Sequence, residues 1–258
     1  MSDIHIPANE ATGVARRFGL IGYPLSHSFS KKYFSEKFEK EYRTGCRYDL
    51  FPITAIEELP NLLQSTPGLE GLNVTIPYKQ SVIPFLDNQS NIPGELDACN
   101  CIKIKNGKLT GYNTDITGFE KSITPLLRPG HKKALVLGTG GAAAAVVYVL
   151  KKLGLAVSLV SRGKTGKEII SYNDLDKRII NEHLVIINTT PLGMYPGITS
   201  LPSLPYQYLT ADHLLYDLVY NPAKTLFLQK GEEQGSVIKN GEEMLIIQAE
   251  ESWKIWNS

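Results

Sequence analysis

Cysteine is scarce and odd in number: Cys46, Cys99 and Cys101 are the three thiols in 258 residues. That argues against a disulfide framework, and Cys99 and Cys101 flank Asn100 too closely for a zinc knuckle. With five histidines and no Cys/His cluster, no resident metal is expected, and the thiols read as reduced, small buried hydrophobes. An excess of charge of one sign is also missing. Twenty-seven Lys and Arg stand against 26 Asp and Glu, a formal net charge of +1, so no global field draws nucleic acid or an acidic membrane. No apolar run approaches the roughly 20 residues of a membrane span. Residues 1–17 lack the long apolar segment of a secretory signal, and residues 2–15 read as a loosely ordered lead. These absences point to a cytoplasmic protein with no nucleic-acid or membrane partner. They leave monomer and homodimer open.

What is present is ordinary for a globular chain, at 42% hydrophobic and 21% charged residues, and long enough for one large or two modest domains. Apolar, β-prone runs predict strands at 18–22, 48–52 and 71–76. Helices are predicted at 30–42, 56–64 and from 79 to 86. Residues 99–104 and 109–112 around Asn106-Gly107 read as a hairpin with a tight turn. A linking helix is expected at 118–127. Strands at 133–137, 155–160, 184–188 and 214–218, with a helix at 142–153, form a second α/β unit, and 242–256 reads as a C-terminal helix. The expected fold class is α/β with two domains, one of them Rossmann-like and doubly wound.

Three clusters carry chemistry. Asn73-Val74-Thr75-Ile76-Pro77-Tyr78-Lys79 places a lysine at the end of a β-prone run, and Asn113-Thr114-Asp115 offers a carboxylate. If the fold joins Lys79 to Asp115, the pair can pass a proton to or from a substrate oxygen. The third cluster, Gly138-Thr139-Gly140-Gly141-Ala142, follows a strand and opens a helix, the setting of a dinucleotide loop, with Ala143 at the third glycine position. Gly138 permits the tight turn, and Gly140 lets the backbone approach a pyrophosphate at the helix N-terminus. The next strand ends in Ser161-Arg162-Gly163-Lys164, with no acid for ribose hydroxyls. Arg162 and Lys164 suit a 2′-phosphate, which favours NADP.

These blocks, taken in order, resemble the shikimate dehydrogenase family. They are Gly22-Tyr23-Pro24-Leu25-Ser26-His27-Ser28, the Asn73 to Lys79 block, Ala98-Cys99-Asn100, Asn113-Thr114-Asp115 and the Gly138 loop. Further on come Asn188-Thr189-Thr190-Pro191-Leu192-Gly193-Met194, residues 216–220, and Gly241-Glu242-Glu243-Met244-Leu245 with Gln248. The resemblance covers nearly the whole chain. It implies NADPH-dependent reduction of 3-dehydroshikimate to shikimate, in the pathway to chorismate and the aromatic amino acids. It also implies a substrate-binding domain at 1–114 plus 240–258, and an NADP domain at 115–239. Lys79 and Asp115 are the implied catalytic pair. Ser26, Ser28, Thr75, Asn100, Tyr220 and Gln248 join them around the substrate. Thr189, Met194, Leu218 and Gly241 are implied on the cofactor side, and Met244 is a further candidate wall of the nicotinamide pocket.

Three departures stand out. The family commonly shows Asn-Arg-Thr where this chain has Ser161-Arg162-Gly163, and Thr where it has Cys101. The segment 164–184 is short, so the usual helix there reads as truncated or missing. A quinate/shikimate dehydrogenase of broader cofactor use remains an alternative, as does a non-catalytic relative that binds shikimate-like acids. Retention of both Lys79 and Asp115 argues against the second.

Overall fold

The computed structural model describes residues 16–25, 28–163, 166 and 169–258. The expectation for residues 2–15 lies outside them. The first half comprises β1 (Arg16–Ile21), α1 (Phe29–Lys40), β2 (Cys46–Phe51), α2 (Leu59–Ser65), β3 (Leu69–Val74), β4 (Asn88–Asn91), β5 (Cys101–Lys105) and β6 (Lys108–Tyr112). The strand order is β2-β1-β3-β5-β6-β4. β1 runs parallel to β2 and β3, whereas β5 is antiparallel to both β3 and β6. Asn106 (φ 52°) and Gly107 (φ 73°) take the two left-handed positions that a tight hairpin turn requires.

The chain then crosses through α3 (Thr114–Ile123) into β7 (Lys133–Leu137), α4 (Gly141–Lys152), β8 (Ala156–Ser161), β9 (Ile169–Ser171) and α5 (Lys177–Glu182). β10 (Val185–Asn188), β11 (Leu214–Asp217), α6 (Leu226–Glu233), β12 (Val237–Lys239) and α7 (Glu242–Trp256) complete it. The second sheet is parallel throughout, in the order β12-β11-β10-β7-β8-β9. That is the doubly wound arrangement, with order reversing beside β7. Its central strands are apolar at nearly every buried position because both faces are covered.

α7 serves both halves. Met244 packs under the second sheet, while Ala249, Trp253 and Trp256 pack against Phe18, Phe34 and Tyr48 of the first. α3 lies along it closely enough that a Cβ at Gly118 would stand 2.7 Å from the Met244 carbonyl oxygen. The halves also meet where Leu96 and Ala98 pack on Ala145 of α4.

Two predicted elements differ from the fold. Residues 79–86 form turns and one 3₁₀ turn, Ile83–Phe85, not a helix. Pro84 lacks the N–H and blocks the i−4 carbonyl, so an α-helix cannot pass through it. The linking helix starts at Thr114, four residues before the predicted 118. Asn113 accepts a hydrogen bond from the Ile116 amide and caps it. Among the described residues of the segment 164–184 lie β9 and the six-residue α5.

Candidate active site

Lys79 and Asp115 meet. Lys79 Nζ stands 2.6 Å from Asp115 Oδ2, with side chains 20% and 14% exposed. The lysine leaves the end of β3 by a turn whose backbone is held at several points. The Tyr78 amide donates to the Thr75 carbonyl, the Tyr78 hydroxyl donates to the Ile53 carbonyl (2.8 Å), and the Cys99 amide donates to the Lys79 carbonyl (2.7 Å). Asp115 lies in the first turn of α3, where the helix dipole favours a carboxylate. Asn113, its cap, also donates from Nδ2 to the Ala98 carbonyl (2.8 Å), tying α3 to the segment that carries Asn100. A half-buried ammonium held by a carboxylate, where the turn after β3 meets the first turn of α3, is equipped to exchange a proton with a ligand oxygen.

Short polar groups gather on Thr114, the neighbour of Asp115 in the chain. Asn100 (3% exposed) and Gln248 (6%) are both reached by the hydroxyl of Thr114. Thr75 is half-buried, and its amide donates to the Ile21 carbonyl. Gly22 is required beside it, because a Cβ there would fall 2.4 Å from Thr75 Cγ2. Ser28 caps α1, accepting from the Lys31 amide (3.2 Å), which leaves its O–H to donate elsewhere. Ser26 lies outside the described residues. Tyr220 crosses from the second half and sets its ring edge-on to Phe29, next to Ser28, at 5.6 Å. Cys101 is fully buried, and burial pushes its thiol and that of Cys99 up, Cys99 to about 11. Both are inert neighbours of Asn100.

The second edge is built from backbone. Gly138 has φ +105°, and a Cβ there would come within 2.9 Å of Thr189 Oγ1, so only glycine suits this turn. Gly140 and Gly141 are the opposite case: a Cβ on either meets nothing within 4 Å. No side chain caps α4, so its first amides face an open cradle that suits a diphosphate. Ala143 is buried and packs α4 onto the sheet. A groove of about 480 Å³ runs along α4 past Thr139, Gly140, Val147 and Tyr148, with Glu95 of the first half among its walls. Ala142 and Ser161 are half-buried at this edge, Arg162 is exposed at the end of β8, and Lys164 lies outside the described residues.

Thr189 turns its hydroxyl inward to the Leu137 carbonyl (2.7 Å), so it pins its loop to β7. Met194 is 45% exposed, beyond that loop, and Met244 is 7% exposed and packs in the core cluster of the second sheet. A Cβ on Gly241 would lie 2.2 Å from the Leu218 carbonyl oxygen, so the start of α7 touches the backbone after β11 directly.

Sequence reasoning missed the residues that hold these groups. Asp217 is fully buried and accepts from Thr225 Oγ1 (2.6 Å), Asn188 Nδ2 (2.9 Å) and the Val219 amide (3.0 Å), joining the loops after β10 and β11. Burial raises its carboxyl to about 6. Its signal was a lone acid closing an otherwise apolar strand. Tyr48 and Ser252, which interlock with Asn73 and Thr114 of the quoted motifs behind Asn100 and Gln248, left no such sign because they are distant in sequence.

Comparison with known proteins agrees across the chain. The family described as the shikimate dehydrogenase substrate binding domain matches residues 20–102. The shikimate dehydrogenase (NADP(+)) of Halothermothrix orenii is 38% identical over 92% of this chain and 89% of its own. The crystal structure of shikimate dehydrogenase from Aquifex aeolicus superposes with a TM-score of 0.82, at 33% identity, covering 94% and 92% of the two chains. The Thermus thermophilus enzyme, solved in complex with NADP(H) and shikimate, gives 0.80 at 28% identity, covering 93% and 92%.

Proposed function

The chain belongs to the shikimate dehydrogenase family, and we infer that it is an NADP-dependent oxidoreductase that reversibly reduces 3-dehydroshikimate to shikimate. The observation that carries the chemical reading is the Lys79–Asp115 contact, formed by a turn of the first half and the helix that leads into the second. Lys79 stabilises negative charge developing on the substrate carbonyl oxygen and delivers the proton to it. In the reverse direction it takes the proton back. Asp115 orients the ammonium and accepts from a neighbouring hydroxyl.

Asn100, Gln248 and Thr75 hold the ring hydroxyls. Ser28, with Ser26, holds the carboxylate, and Tyr220 closes over them from the other half. The substrate domain is assigned to 1–114 with 240–258, and the cofactor domain to 115–239. NADPH, when bound, supplies the hydride. Gly138, Thr139, Gly140, Gly141 and Ala142 hold its diphosphate, and Arg162, with Lys164 and Ser161, takes the 2′-phosphate. Thr189, Met194, Leu218 and Gly241 border the nicotinamide end. The absence of an acid at the end of β8 favours NADP over NAD.

The test follows NADPH absorbance on mixing with 3-dehydroshikimate. Decay with NADPH preferred over NADH, and loss of that preference in Arg162→Ala, is the expected result. No decay at micromolar enzyme points to a binding protein. Equal use of both cofactors together with quinate oxidation points to the broader dehydrogenase.

A further inference from the structure

Hydrogen accounting behind the substrate site singles out Ser252. Asn100 Oδ1 accepts the backbone N–H of Thr114 at 2.6 Å, which decides which end of that amide is oxygen. Its Nδ2 gives one hydrogen to Thr114 Oγ1 (3.1 Å), and the other has no protein acceptor among the described residues. Gln248 is set the same way. Nε2 donates once to the Leu245 carbonyl (3.1 Å), Oε1 lies 3.4 Å from the Thr114 hydroxyl, and one N–H is left over.

Both amides therefore converge on Thr114, whose single hydroxyl hydrogen goes to Ser252 Oγ at 3.3 Å because the Ser252 hydrogen is taken by the Gln248 carbonyl, and Gln248 is oriented by its bond to the Leu245 carbonyl. Ser252 in turn donates to the Gln248 carbonyl (2.9 Å) and accepts from Asn73 Nδ2 (3.0 Å). Asn73 also reaches the Asn100 carbonyl (3.3 Å) and accepts from the Tyr48 hydroxyl (2.9 Å). Ser252 is fully buried, so it lies behind the site and not in it. Among the described residues it is the one point where α7 is hydrogen-bonded to both β3 and α3.

We propose that Ser252 is a positioning residue: its hydroxyl rivets α7 to β3 and α3 so that Asn100 and Gln248 each present a single free amide N–H to the ligand. The substrate site thereby selects ring oxygens that accept hydrogen bonds at those two places. Removing the hydroxyl leaves the buried Asn73 N–H unpaired and frees α7 to shift, which moves Gln248 one turn away on the same helix face. The inference rests on the reading of Asn100 and Gln248 as substrate ligands, and the test separates the two.

Steady-state kinetics are measured for Ser252→Ala, Gln248→Ala and the double variant, each with a melting curve. Ser252→Ala raises KM for shikimate roughly tenfold and leaves KM for NADP within about twofold. The double variant loses much less than the product of the two single effects, because both act through one amide. A merely packing role lowers the folded fraction and hence the apparent kcat, with both KM values unchanged, and that result overturns the proposal. So does full multiplicativity in the double variant. If Gln248→Ala itself leaves KM for shikimate unchanged, the substrate-site reading falls and the inference falls with it. If Ser252→Ala does not fold, Tyr48→Phe takes its place, since it keeps the ring and removes the hydroxyl on Asn73. A roughly threefold rise in KM for shikimate is then expected, and an unchanged KM overturns the proposal.

Discussion

The two sheet edges that carry the candidate site are built from different materials. On the first, side chains do the positioning: Lys79 is held by Asp115, and Asn100 and Gln248 are held by hydroxyls and an amide packed behind them. On the second, backbone does it: a left-handed Gly138, two glycines open to solvent, and Gly241 against the Leu218 carbonyl. A substrate recognised hydroxyl by hydroxyl needs donors and acceptors of fixed direction, which side-chain amides supply once their own orientation is settled. A diphosphate needs only amides and close approach, which glycines supply by lacking a side chain.

That contrast can be broken at both ends. The largest effect belongs to Lys79→Ala, which lowers kcat by roughly 10²–10⁴ while KM for shikimate changes far less, as read from steady-state kinetics. Near-wild-type turnover removes the first edge from the chemistry. Next comes Gly140→Val. The added Cβ meets no protein atom and the backbone there (φ −85°, ψ −176°) accepts a β-branched residue, so the melting temperature falls only slightly, by the cost of exchanging a glycine helix cap. KM for NADPH nevertheless rises by at least about tenfold, a loss of about 1.4 kcal/mol of binding. A drop in stability without a cofactor effect reverses the assignment of that loop.

The smallest effect separates the halves by pH. His183 and His213 both lie in the second half, and burial holds both below the ordinary imidazole value of 6.5. His213 Nδ1 accepts from the Thr210 amide (3.0 Å), a contact that protonation turns into two opposed hydrogens. The folded pKa is depressed, so the neutral form's contribution is present above pH 6.5 and is lost as pH falls through the lowered folded value. Between about pH 7.5 and 5 the wild type loses more Tm than His213→Gln does, while Asp217, whose raised carboxyl takes up a proton over the same range, works in the opposite direction in both proteins. Amide exchange should accelerate in β10 and β11 before β1 and β3, and His213→Gln should flatten the trend. Uniform loss in both sheets sets this contrast aside.

Much of the fold was legible because it follows local rules. The strand Lys133–Leu137 and the helix Glu242–Trp256 were read from periodicity to the residue. The Asn106-Gly107 turn was read from the one chemistry that tolerates two left-handed residues. The missed elements were polar or short. Asn88–Asn91 is exposed throughout and has no apolar alternation, and Leu226–Glu233 was passed over although Thr225 caps it. At the candidate site the residue types at 79, 100, 115 and 248 were visible in separate motifs. Met194 and Met244 were placed by sequence order near a cofactor; one is exposed and the other is core. Nothing local distinguishes those fates.

By itself the sequence determined the periodicities, the glycine turns, the absence of an acid after β8 and the inventory of chemical groups, all properties of neighbours along the chain. Only the tertiary structure decided that Lys79 and Asp115, 36 positions apart, stand 2.6 Å apart. It alone brought Ser252 beneath Asn73 and Thr114, which are 179 and 138 positions away in the chain. The reason is physical: these contacts form when α7 folds back across both sheets to bury Trp253, Trp256 and Met244, and that burial is set by packing, not by any pattern in the residues that meet.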